Sequence, residues 1–145
     1  MTVMEWNNQY LPVVIQLAGL GQIILVMASV AIPHCLDWNK GLAGLRPLLR
    51  QMFWTYAVYV TGVHLFAGVV SVLGADELLN GSIVSTAVCL LMALWWGARL
   101  VIQFFFFDRT DVPNTLFNKL AELGLVLLFI YLTAVYTMAT IVNLI

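Results

Sequence analysis

The sequence predicts an all-α membrane protein: four transmembrane helices in an antiparallel bundle, with both termini on the non-cytoplasmic side. Three observations carry that expectation. Only 9% of the 145 residues are charged and 63% are hydrophobic, whereas a soluble domain carries about 25% charged residues. Too few polar side chains exist to coat a water-facing surface, so the solvent is largely lipid. Four apolar runs, at roughly 11–33, 48–73, 82–107 and 117–144, are each long enough to cross about 30 Å of hydrocarbon. All six Lys and Arg residues fall on one side of those runs.

The first run follows MTVMEWNNQY, which has no basic stretch, so it reads as a retained span rather than a cleaved leader. Connections rich in Gly, Pro, Asn or Asp separate the runs, as turn chemistry requires. Pro47 suits the first turn of the second helix and Pro113 the start of the fourth, because proline loses nothing where the amide is unbonded anyway. Lys40, Arg46 and Arg50 lie in or beside connection 34–47. Arg99, Arg109 and Lys119 lie within or beside connection 108–116. The other side carries Glu5, Asp76 and Glu77 and no cation. By the bias of Lys and Arg toward the inner face, both connections are expected in the cytoplasm, in a bacterial cytoplasmic membrane. Trp6 and Tyr10 outside, with Trp38, Trp54 and the phenylalanine run inside, suit interfacial belts. The chain reads as one domain.

Arg99 is the anomaly. It lies about 12 Å inside the cytoplasmic end of its span, where a charge is expensive and is expected to face the bundle and find a partner. Glu122, near the start of the fourth helix and on the same membrane side, is the expected ion-pair partner. The alternative is that Arg99 reaches lipid phosphate or Asp108, while Glu122 pairs with Lys119 three residues earlier. Trp95, Arg99 and Gln103 form a polar ridge at four-residue spacing that continues toward Asp108. About 160° around the same helix, Gly81, Ser85, Cys89, Ala93 and Gly97 form a small-residue ridge for close packing. A helix with two such faces is either central in its bundle or part of an oligomer or partner interface. Cys89 reads as a member of that packing ridge.

A polar layer is expected in the outer half, with Gln16 and Gln22 on the first helix, Thr61 and His64 on the second, and Tyr136, Thr137 and Thr140 on the fourth. Such a layer glues helices by hydrogen bonds, or lines a proton or solute path in which His64 titrates. His34, near the end of the first span, reads as an interfacial loop residue, too far along the axis from His64 to share an iron. No serine elbow, CxxC or paired carboxylate is present in the spans, so no catalytic residue, metal site or cofactor is predicted. The net charge of −1 gives no footprint for nucleic acid. Small multidrug exporters share the size and span number, but rely on an acid in the first span, where this chain has glutamines.

The segments RQMFWTY (Arg50–Tyr56) and ARLVIQFFFFD (Ala98–Asp108) resemble a family of small bacterial four-span proteins of unassigned function. That resemblance implies a fold and a membrane location, and groups Arg99, Gln103 and Asp108 as one feature. The functional expectation is a non-enzymatic integral-membrane subunit that oligomerises or docks on a larger membrane complex, in contact with lipid. One alternative is a small transporter or channel using the layer around His64. Another is a redox component holding haem or quinone.

Overall fold

A computed structural model describes residues 3–35, 37–107 and 115–145, and for residues 3–9 and 35 it describes the backbone alone. The elements are α1 (Val3–Cys35), the single turn α2 (Trp38–Gly41), α3 (Pro47–Leu73), a 3-10 turn at Glu77–Leu79, α4 (Ile83–Phe105) and α5 (Leu116–Leu144). Four helices are long and apolar enough to cross a membrane, over Tyr10–His34, Pro47–Leu73, Ile83–Phe105 and Leu116–Leu144. Three of the expected runs match their helices to within one or two residues. The first helix extends beyond its run at both ends, and His34 sits in its last turn rather than in a loop.

Local chemistry sets the helix starts. Pro47 opens α3 in its first turn. Ser82 caps α4 by accepting the Ser85 amide (3.1 Å), and Thr115 caps α5 by accepting the Asn118 amide (3.2 Å). Each cap satisfies an amide that the helix itself leaves open, typically a gain of about 1 kcal/mol. Pro113 and Asp108 lie outside the described residues.

The buried residues occupy only part of each helix. They run over Leu11–Val26 in α1, Ala67–Ser71 in α3, Ser85–Trp96 in α4 and Phe129–Thr140 in α5. Residues 27–34, 47–66, 97–107 and 115–128 contribute no buried side chain. The core thus gathers at one end of α3, α4 and α5, and the end bearing connections 36–46 and 106–115 is open. About a third of the apolar windows of α1 and α5 is buried, against 17% in α3 and α4. The central helices are therefore α1 and α5. The alternative that placed the third span at the centre does not hold.

Closest approach occurs between α1 and α3. A Cβ on Gly19 would lie 2.7 Å from the Gly68 carbonyl oxygen, and one on Gly68 would lie 3.0 Å from the Gly19 oxygen. Two backbones meet there with no space for a methyl group, the packing that small residues permit in lipid. At the packed end, Asn143 Nδ2 donates to the Leu78 carbonyl (2.7 Å) and its Oδ1 accepts the Gly81 amide (2.9 Å). Gly81 has φ +70°, a left-handed conformation that glycine adopts without penalty.

Candidate functional site

Within the packed half, the polar residues largely satisfy one another. Ser71 Oγ donates to the Ala67 carbonyl (2.8 Å). Its single proton is thereby used, so across the 2.5 Å separation the Tyr136 hydroxyl donates to Ser71. The same hydroxyl accepts from Gln22 Nε2 (2.6 Å). Three helices are joined at one oxygen. Gln22 is 0% exposed, and its Oε1 has no hydrogen-bond partner among the described residues.

The rest of the expected polar layer is dispersed. Gln16 is exposed. Thr61, Thr137 and Thr140 donate to the carbonyls of Ala57, Thr133 and Tyr136 four residues back in their own helices, at 2.7–2.8 Å. Such internal bonds satisfy a hydroxyl without linking helices. In the small-residue ridge of α4, Ser85, Cys89 and Ala93 are buried. Gly81 precedes the helix, and a Cβ on Gly97 would still be 3.7 Å from Thr133 Cγ2. Cys89 Sγ lies 3.5 Å from the Leu78 carbonyl, as a packing residue would.

His64 belongs to a second group, at the boundary between the packed and open halves. Trp95 Nε1 donates to His64 Nε2 (2.9 Å). An accepting Nε2 carries no proton, which puts the ring proton on Nδ1. The imidazole stacks on Trp96 (centroids 4.8 Å, 27°), and Trp96 stacks on Phe129 (5.4 Å, 23°). Arg99 completes the column, with Cζ 5.2 Å from the Phe129 centroid and 4.9 Å from that of Phe107. Rings from α3, α4 and α5 thus form a continuous series ending on a cation.

This column answers the anomaly of Arg99 differently from the expected ion pair. Among the described contacts, Glu122 Oε1 accepts from Gln103 Nε2 (3.4 Å), while Arg99 rests on aromatic faces. Arg99 Nη1 and Trp96 Nε1 are buried without a hydrogen-bond partner among the described residues. A cation–π contact is worth about 0.5–2 kcal/mol, against about 2.5–3.5 kcal/mol for placing an arginine at the centre of a span. Two rings cover much of that cost and leave donors unmet. Four-residue spacing places Trp95 and Gln103 beside Arg99, but Trp96, Phe107 and Phe129 carried no signal, because an aromatic residue in an apolar run looks the same whether it faces a cation or lipid. Asp108 lies outside the described residues.

Among the described residues, no group of three His, Cys, Asp or Glu side chains gathers as a metal site. The fold and this site define a helical protein with four helices long and apolar enough to cross a membrane, one half packed and one half open. No family model, curated protein or solved structure matches the chain.

Proposed function

We propose that this protein is a non-enzymatic integral-membrane subunit that oligomerises or docks on a larger membrane complex through its open half. One observation carries the reading: residues 47–66 of α3 and 97–107 at the end of α4 contribute no buried side chain. Helices in lipid associate by close van der Waals packing and interhelical hydrogen bonds, and over these stretches the described contacts are few: Trp95 donates to His64 and Gln103 to Glu122. The open half presents Tyr56, Tyr59, Phe104 and Ile102, large side chains suited to packing against another protein. Four helices form an antiparallel bundle in this reading, with basic connections in the cytoplasm and both termini on the opposite face, as the distribution of Lys and Arg favours.

The polar residues support a packing role over a transport path. Gln22, Ser71 and Tyr136 bond to one another, and His64 is engaged by Trp95 and Trp96. Purification in mild detergent or native nanodiscs, followed by mass measurement of the intact particle, tests the proposal. An oligomer or a stoichiometric membrane partner is expected. A strictly monomeric particle with nothing bound would sink it.

A further inference from the structure

We propose that the connection between α1 and α3, together with the first two turns of α3, is a surface that binds the anionic headgroups of phospholipids. The connection is a fixed turn. The Asp37 carbonyl accepts the amides of Lys40 and Gly41 (2.9 and 3.2 Å), and the Trp38 carbonyl accepts that of Leu42 (2.8 Å). Trp38 then ties this turn to α3. Its ring meets Phe53 edge-on (centroids 5.3 Å) and lies 6.1 Å from Trp54, and those two rings meet each other at 5.8 Å. Arg50 precedes Phe53 and Trp54 by three and four residues, so it stands on the same face of α3. Arg46 is one turn further out, at the N-cap, where its side chain makes no cap bond.

Charge selects the chemistry of the partner. The acid of this connection, Asp37, is taken by Lys40 (Oδ2 to Nζ 2.6 Å), whereas Arg46 and Arg50 are exposed and have no ion-pair partner among the described residues. Two reachable guanidiniums, with the acid of their own connection already used, complement phosphate. Exposed leucines beside them select lipid as its source. Leu45, Leu48 and Leu49 are 41%, 65% and 50% exposed, and a water-soluble anion would leave them uncovered. A bilayer covers such side chains with its acyl chains while its headgroups meet the cations, as it does for interfacial segments. Depth agrees. Arg50 lies about 6 Å nearer the helix start than Trp54, which leaves the aromatic cluster at the interface, where tryptophan collects, and the arginine among the phosphates. This inference rests on the chain spanning a membrane and not on its being a subunit.

The test captures detergent-solubilised protein on resin with mixed micelles of phosphatidylglycerol and phosphatidylcholine, and counts the retained lipids by mass spectrometry. Wild type is expected to retain phosphatidylglycerol in preference; equal retention of both lipids overturns the proposal. Arg50→Gln should lower phosphatidylglycerol retention about fivefold, and the double variant with Arg46→Gln about thirtyfold. Lys119→Gln, an equal loss of charge near the start of α5, should leave retention near the wild-type level. A drop there matching that of Arg50→Gln would assign the effect to net charge and overturn the proposal. Both arginines are exposed, so the variants should keep the wild-type unfolding midpoint; if the double variant does not fold, Arg50→Gln alone decides. Retention by a folded variant equal to wild type also overturns the proposal. At matched ionic strength, sodium chloride and sodium phosphate should release lipid equally, whereas stronger release by phosphate would assign the patch to the free ion. An acidic protein held through Arg46 and Arg50 to the exclusion of lipid would overturn it too. Lipid is counted on whatever particle the chain forms, so a failure to oligomerise leaves this test intact, and a failure to hold lipid leaves the subunit reading standing.

Discussion

The two halves of this molecule solve the same problem by different means. In the packed half, polar groups sit among helices that touch, and Gln22, Ser71 and Tyr136 meet at one hydroxyl. In the open half no described side chain is fully buried, and Arg99, well inside α4, is held by aromatic faces. Hydrogen bonding needs partners placed to within a few tenths of an ångström, which only close packing supplies. Cation–π contact tolerates looser geometry. The contrast teaches that the buried packing of the chain resides in one half, and it is the other half to which the proposed role assigns contact with a partner.

The sharpest way to break that contrast is to push apart the closest pair. Gly19→Ala should destabilise the protein by about 2–3 kcal/mol, because its new carbon would meet the Gly68 carbonyl, a backbone atom that cannot rotate away. Thermal unfolding in detergent measures this, and an unchanged midpoint would show that α1 and α3 do not approach as described. Removal of the shared hydroxyl in Tyr136→Phe should cost about 1–2 kcal/mol, since Gln22 Nε2 loses its acceptor in a buried site. The double variant with Ser71→Ala should cost little more than the single change, because both act through one oxygen. In the open half the effects shrink. Phe107→Leu should cost about 0.5–1 kcal/mol, for one of the two rings on Arg99. Least of all, Gly62→Ala, with open space around its Cβ, should leave unfolding within about 0.5 kcal/mol of wild type. A loss there as large as that at Gly19 would erase the distinction between the halves.

How far the sequence could be read follows the same division. The spans were legible because lipid imposes a length and a composition, and Pro47 announced the start of α3. Depth along the axis was legible only coarsely: the expected polar layer grouped Gln16 and Gln22 with Tyr136, and of the two glutamines it is Gln22 that bonds the tyrosine hydroxyl. Orientation around the axis was not legible. In lipid, both faces of a helix are apolar, so periodicity does not separate Gln16, which is exposed, from Gln22, which is buried. For the same reason the contacts of Arg99 escaped notice: an acid is visible in an apolar run, while Phe129, at 2% exposure, is not. Ser85, Cys89 and Ala93 of the α4 small-residue ridge are buried, but the tightest contact, Gly19 with Gly68, was divided between two helices and needed their pairing to be seen.

Asn143 has a consequence for biogenesis. It closes the connection between α3 and α4 by bonding to Gly81, 62 residues earlier, and to the carbonyl of Leu78, 65 residues earlier. A ribosome delivers that connection to the membrane well before Asn143 has been made. Until the last helix inserts, the Gly81 amide and the Leu78 carbonyl must rely on water or on the insertion machinery. The α1–α3 contact needs nothing from α5, whereas the latch on the connection between α3 and α4 arrives at the end of synthesis.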